Sequence, residues 1–78
     1  MSTLKRLAIN DEGFVFDPAN GDSYLLNPTG AVLLRGLQQE LDELALLEQL
    51  AEKFHVEPAQ ASADLDDFLV QLRALKLM

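Results

Sequence analysis

The sequence predicts an α+β fold in which a three-stranded antiparallel sheet is followed by three helices. Two observations support this prediction. Up to residue 26, short segments with strand-like alternation are separated by turn residues, and beyond it apolar residues recur at helical spacing. Because strands and helices are segregated along the chain, the pattern favours α+β over alternating α/β. A chain of 78 residues has room for one domain with a small core.

Three short segments have the residue pattern of strands joined by tight turns. The predicted strands are residues 4–9, 14–16 and 23–26, and the predicted turns are residues 10–13 and 17–22. Phe14 and Phe16 share a face, and we expect both to enter the core. Tyr24 and Leu26 share a face of the third strand, and we expect them to anchor it.

Apolar residues at helical spacing predict three helices, at residues 28–39, 42–54 and from 58 onward. Asn27 and Asp42 suit N-cap positions, and Pro58 suits a first helical turn. Gly36 costs roughly 1 kcal/mol relative to alanine inside a helix, which indicates a close contact there. The side chains expected in the core are Ala31, Leu34, Leu37, Leu44, Leu47, Leu50, Phe54, Ala61, Leu65, Phe68, Leu69, Leu72 and Leu75.

The charge and composition exclude several classes of function. The net charge is −7 with only six basic residues, which disfavours nucleic-acid binding and favours neutral or basic partners. No apolar run approaches the ~18 residues that span a bilayer, and residues 1–5 lack a signal-peptide core. We therefore expect a cytoplasmic protein. The absence of cysteine rules out disulfides and cysteine metal sites.

The sequence contains no convincing catalytic, metal or cofactor site. His55 is the single histidine, and its place at a helix end predicts a capping or surface role. Asp64, Asp66 and Asp67 point apart on a helix and are typical of a solvated face. Ser23 follows an aspartate, as in acyl carrier proteins, but carrier proteins place that serine at a helix start rather than in a strand. We expect a protein that is not an enzyme.

A small apolar strip is predicted on the outer face of the third helix. Ala63, Val70 and Ala74 lie roughly opposite its core stripe, with Asp66 and Asp67 beside them. Such a strip can form the floor of a groove, or it can be ordinary surface, since apolar atoms cover much of any protein.

Residues 21–30 carry a family resemblance. Their sequence, Gly-Asp-Ser-Tyr-Leu-Leu-Asn-Pro-Thr-Gly, resembles the G-x-x-Y-x-L-N-x-T-G segment of PqqD-like proteins, peptide chaperones also called RiPP recognition elements. The similarity continues more loosely through residues 46–56, 64–72 and 75–78, and covers roughly residues 10–78. One departure is Lys76, which stands where many members of the family have glycine.

The resemblance implies a winged-helix-like fold and a non-catalytic function. Such proteins bind the leader segment of a ribosomally made precursor peptide and present it to a modifying enzyme: a radical-SAM protein, a cyclodehydratase or a leader peptidase. The leader adds a strand to the third strand, in a groove walled by the third helix. On this chain the implied peptide-binding residues are Ser23, Tyr24, Leu25, Leu26, Ala63, Asp66, Asp67, Val70, Arg73 and Ala74.

The acidity of the chain leaves two alternatives, because leader peptides are often acidic themselves. Either the cognate leader is neutral or basic, or the negative charge lies away from the groove. Arg73 is the basic residue expected to meet an acidic leader side chain. The competing function is a protein–protein adaptor or a homodimer that pairs through the same strand edge, and a DNA-binding winged helix is disfavoured by the charge.

Overall fold

The computed structural model describes residues 3–77 and confirms the α+β class, with a three-stranded antiparallel sheet followed by helices. Met1, Ser2 and Met78 lie outside these residues, and with them part of the N-terminal segment and of the 75–78 similarity. The winged-helix-like arrangement stays a prediction. In chain order the elements are α1 (Thr3–Arg6), β1 (Ala8–Ile9), β2 (Phe14–Phe16), β3 (Ser23–Leu25), α2 (Pro28–Gln38), α3 (Glu43–Phe54) and α4 (Pro58–Ala74).

The sheet is an antiparallel meander with the strand order β1-β2-β3, as predicted. The predicted first strand was too long, because residues 3–6 form a helical turn and only Ala8–Ile9 pair with β2. Leu4 and Leu7 are both buried, and a spacing of three residues suits a helical turn rather than a strand. The amide of Gln38 donates to both of their carbonyl oxygens at 2.8 Å and holds the turn against α2.

Strand β2 buries the opposite face from the one predicted. Val15 is 1% exposed, whereas Phe14 and Phe16 are 49% and 42% exposed. Val15 lies opposite Tyr24 in the register, and both side chains face the helices. The prediction that the two phenylalanines enter the core was therefore wrong. Alternation along a strand predicts that every second side chain is buried, but it does not predict which face of the strand meets the core. Here the helices cover the face of Val15 rather than the face of the two phenylalanines.

The helices begin where the sequence predicts. The side chain of Asn27 accepts a hydrogen bond from the Gly30 N–H at 2.8 Å, and Asp42 accepts one from the Ala45 N–H at 2.9 Å. Pro58 is the first residue of α4. These caps satisfy backbone donors that the first turn of a helix leaves unpaired, so the local sequence determines the helix starts.

One core lies between the sheet and the three longer helices. Its buried apolar residues are Leu4, Leu7, Val15, Leu33, Leu34, Leu46, Leu50, Ala61, Leu65, Phe68, Leu72 and Leu77. Leu44 and Leu75 are exposed, so their predicted place in the core was wrong. Leu46 is buried instead of Leu44, because α2 and α3 pack closely at Gly36. A Cβ at this glycine would overlap the Leu46 side chain. The close contact predicted at Gly36 is confirmed.

The end of α4 has a backbone geometry that would suit glycine at position 76, where this chain has lysine. The Leu77 N–H donates to the Leu72 carbonyl at 2.8 Å and the Lys76 N–H to the Arg73 carbonyl at 3.0 Å, which is the Schellman pattern. Lys76 has φ of 60°, a left-handed conformation that favours glycine. The lysine therefore keeps the helix end that a glycine would form more readily.

Candidate functional site

Strand β3 is an edge of the sheet and pairs only with β2 among the described strands. The Leu26 N–H donates to the Gly13 carbonyl and the Asp17 N–H donates to the Asp22 carbonyl, both at 2.8 Å. Hydrogen-bonded pairs recur every second residue in an antiparallel ladder, so Tyr24 bonds to Val15. The backbone groups of the residues between, Ser23 and Leu25, point away from β2.

The outer edge of β3 therefore presents two N–H and two C=O groups, from Ser23 and Leu25. A row of such groups is a template on which another strand can form. Both residues are exposed, and Leu25 is 75% exposed. The predicted edge residues thus divide into two kinds: Ser23 and Leu25 offer their backbone, whereas the half-buried Tyr24 and Leu26 anchor the strand against the core, as predicted.

Two glycines set the position of Leu26 at the end of β3. Gly13 has φ of 87°, and a Cβ there would overlap the Leu26 carbonyl oxygen. A Cβ on Gly30 would lie 3.4 Å from the Leu26 Cβ and 3.3 Å from the Phe68 ring. The absence of side chains at these glycines lets Leu26 approach both the β1–β2 turn and α4. The last glycine of the 21–30 segment therefore brings β3 close to the third long helix.

An ion pair between the exposed Arg6 and the buried Asp17 holds the β2–β3 turn. Asp17 is almost fully buried, and its carboxylate accepts hydrogen bonds from the Arg6 Nε at 3.0 Å, the Arg6 Nη2 at 3.1 Å and the Ala19 N–H at 3.0 Å. The Arg6 hydrogen bonds, together with the Ala19 N–H, hold the pKa of Asp17 below its usual value. Sequence reasoning missed this pair, because Arg6 was assigned to a strand. It ties α1 to the turn from which β3 starts.

A cleft of about 230 Å³ separates the start of α2 from α4, next to the end of β3. Its lining residues are Asn27, Thr29, Gly30, Leu33, Asp64, Asp67, Phe68 and Gln71. The charged side chains in this lining, Asp64 and Asp67, are both acidic. Among the predicted helix residues, Asp67 lines this cleft. Asp64 and Gln71 were missed, although their spacing from Asp67 and Phe68 puts all four on one helix face.

The remaining predicted residues on α4 lie elsewhere on the helix. Asp66 lines a second cleft on the other flank of α4, together with Leu46 of α3. Arg73 follows Asp66 by seven residues, about two helical turns, and lies on the same line of the helix surface. Ala63, Val70 and Ala74 are exposed on the outer face, as expected for the strip. The structure does not bring all six helix residues to one groove at β3, and their binding role stays a prediction.

The outer face of the sheet is apolar and continuous with the free edge. Phe14 lies directly opposite Leu25 in the register, and Phe16 lies opposite Ser23. Phe14, Phe16 and Leu25 are all exposed. A strand added to β3 would extend this face, because directly opposite residues in neighbouring strands put their side chains on the same side.

His55 and Ser23, the two residues considered for chemistry, lie at a helix end and in a strand. Within residues 3–77 there is no group of three His, Asp or Glu side chains that could hold a metal ion. His55 ends α3 with φ of 53°, and its backbone N–H donates to the Ala51 carbonyl, so the predicted capping place is confirmed. Ser23 lies in β3 rather than at a helix start. Over the same residues, no helix combines the length and hydrophobicity that crossing a membrane requires.

Fold and site define a small α+β domain that presents a free strand edge beside a helix. The family model described as coenzyme PQQ synthesis protein D (PqqD) matches the chain over residues 12–78. The chain therefore belongs to the PqqD family, which confirms the resemblance of residues 21–30. Comparison with curated proteins and with solved structures gave no significant match.

Proposed function

We propose that this protein is a non-catalytic binding module for peptide modification in natural-product synthesis. It captures the leader segment of a ribosomally synthesised precursor as a fourth strand beside β3. It then presents the precursor to a modifying enzyme: a radical-SAM protein, a cyclodehydratase or a leader peptidase. The observation that supports this function best is the outward direction of the Ser23 and Leu25 backbone groups. Membership of a family named for coenzyme PQQ synthesis agrees with it.

The free edge gives affinity without selecting a sequence. Each backbone hydrogen bond contributes about 0.5–1.5 kcal/mol net, so four bonds give roughly 2–6 kcal/mol before the peptide's ordering cost. The conformational entropy that the peptide loses when it becomes an ordered strand costs a comparable free energy. Side-chain contacts on the two faces of the added strand must therefore supply the remaining affinity and the register. The cleft beside α4 and the apolar outer face are the surfaces available for those contacts.

Amide hydrogen exchange tests the proposed strand addition. The ligand is a synthetic leader segment of a candidate precursor peptide, titrated into the isotopically labelled protein. Protection should rise at Ser23 and Leu25, because their N–H groups are free in the unbound edge. Protection at Tyr24 and Leu26 should change little, because the Tyr24 N–H already bonds to Val15 of β2 and the Leu26 N–H already bonds to the Gly13 carbonyl. Unchanged exchange at both Ser23 and Leu25 in the presence of bound peptide would refute strand addition.

The same measurement separates leader capture from self-pairing. A homodimer joined through β3 would protect Ser23 and Leu25 without peptide, and the protection would rise with protein concentration. Sedimentation with and without the leader gives an independent comparison: a dimer that ignores the peptide would support the adaptor function instead. Ser23→Ala is the matched side-chain control, since it keeps the backbone groups and should bind the leader almost as well as the wild type.

A further inference from the structure

The two faces of a strand bound at β3 would meet different chemistry. Successive side chains of a strand point to opposite faces. The peptide residue directly opposite Leu25 puts its side chain on the outer face of the sheet, and its two neighbours face the helices. This alternation holds for either direction of the added strand. The structure therefore assigns a distinct environment to each peptide position.

The outer position is apolar. Leu25 is 75% exposed, and its directly opposite residue, Phe14, is 49% exposed. A side chain beside Leu25 would continue the row formed by Phe14 and Leu25. An apolar side chain there removes apolar surface from water on both partners, whereas a charged one would be placed against a hydrocarbon surface.

Beyond the Leu26 end of β3, on the helix side of the sheet, lies a cleft whose charged side chains are acidic. The close packing of Leu26, Gly30 and Phe68 puts the cleft of about 230 Å³ at this end of β3. Asp64 accepts a hydrogen bond from Gln60 at 2.8 Å, and Asp67 takes part in no ion pair within residues 3–77. No Lys or Arg is among the cleft's lining residues. The overall charge of −7 adds to the same preference.

We infer that the bound peptide has an apolar residue paired with Leu25 and a lysine or arginine at the next position on the Leu26 side. This inference rests on the proposed function and names the peptide class that the edge selects. A basic side chain at this position faces the helices, and Asp64 and Asp67 of the cleft are the carboxylates that it would meet at the Leu26 end. This inference replaces the expectation that Asp66 and Arg73 contact the leader, because both lie on the other flank of α4 from this cleft.

Peptide selection on the intact protein tests the inference without knowledge of the natural leader. Displayed random peptides of about ten residues, long enough to cover β3, are selected on immobilised wild-type protein. The same library is selected on Asp67→Asn and on Asp66→Asn, which removes an equal charge from the other flank. Wild type and Asp66→Asn should enrich adjacent apolar and basic residues. Asp67→Asn should lose the basic preference and keep the apolar one.

Affinities of one selected peptide then measure the contact. Asp67→Asn should weaken binding about two- to fivefold, the range expected for an exposed ion pair, and Asp66→Asn should have no effect. A version of the peptide with its basic residue replaced by glutamine should bind all three proteins equally. A twofold or greater loss for Asp66→Asn with none for Asp67→Asn would overturn the inference.

Amide exchange distinguishes the two levels of failure. Selected peptides that protect Ser23 and Leu25 but show no basic preference would overturn this inference and leave strand addition standing. Selected peptides that protect neither residue, or a selection that enriches no peptide, would count against both. Adjacent apolar and basic residues in peptides that do protect Ser23 and Leu25 would support both.

Discussion

Proline at position 25 would remove an N–H that points away from the sheet. The ladder between β2 and β3 uses the backbone of Tyr24 and of residues two positions away, so Leu25→Pro breaks none of its hydrogen bonds. Proline is tolerated on an edge strand in this orientation. The preceding residue must be extended, and Tyr24 already lies in a strand. The substitution therefore acts on the binding edge with little effect on the fold.

The expected change in stability is small. Full burial of a leucine contributes about 1.5–3 kcal/mol, and a side chain that is 75% exposed loses at most about a quarter of that. A proline that fits the native conformation returns about 0.4–1 kcal/mol by restricting the unfolded chain. Urea unfolding should therefore place Leu25→Pro within about 1 kcal/mol of the wild type.

Tyr24→Pro is the matched variant that should damage the fold. It removes the N–H that bonds to Val15 and a half-buried aromatic ring. The unpaired carbonyl costs about 1–3 kcal/mol, and loss of the ring adds a similar amount. A chain of this length has a total stability of roughly 4–12 kcal/mol, so much of it would be lost.

Leu25→Pro should weaken leader binding although it leaves the fold nearly as stable as the wild type. Leu25→Pro removes one intermolecular hydrogen bond and puts a ring where the peptide backbone must approach. Titration calorimetry should show at least about tenfold weaker binding, equal to 1.4 kcal/mol. Leu25→Ala, which keeps the N–H, should lose less than about fivefold. A folded Leu25→Pro protein that binds as well as Leu25→Ala would refute the assignment of this N–H to the peptide.

Two further predictions concern the frame around the site. Lys76→Gly should raise the free energy of unfolding by about 0.5–1 kcal/mol, because glycine adopts the left-handed conformation at φ of 60° without strain; equal or lower stability in urea would contradict this. Asp17→Asn should be destabilising near pH 7. Since the folded pKa of Asp17 lies below its unfolded value, the carboxylate's contribution is complete above about pH 4 and is lost as the pH falls through the folded pKa. The stability difference from wild type should therefore shrink as the pH falls below about 4, and a constant difference would exclude this ion pair as its cause.

Local sequence patterns predicted much of the fold because the relevant physics is local. Asn27 and Asp42 satisfy the donors of their own helices, so the helix starts could be located without tertiary contacts. The turn residues between the strands determined the antiparallel meander in the same way. The predicted length of the first strand was wrong, because the spacing of Leu4 and Leu7, three residues apart, was not recognised as that of a helical turn, whose carbonyl groups Gln38 binds.

The candidate site was predicted in its parts but not in its geometry. Residues 21–30 identified the family and the strand that offers a free edge. They could not show that Ser23 and Leu25, rather than Tyr24, carry the outward groups, since that depends on the pairing phase with β2. The sequence could not show which side of α4 lies toward β3 either, because that depends on how α2 and α4 pack at Gly30.

The sequence alone determined the α+β class, the segment that builds the β3 corner and the family to which the chain belongs. The tertiary structure decided which sheet face is buried, which backbone groups are free and which acidic residues line the cleft between α2 and α4. The physical reason is that periodicity assigns residues to faces of an element, whereas only packing between elements decides which face meets a neighbour and which meets solvent. That packing leaves Leu25 exposed with its N–H directed away from the sheet, and it opens an acidic cleft between α2 and α4.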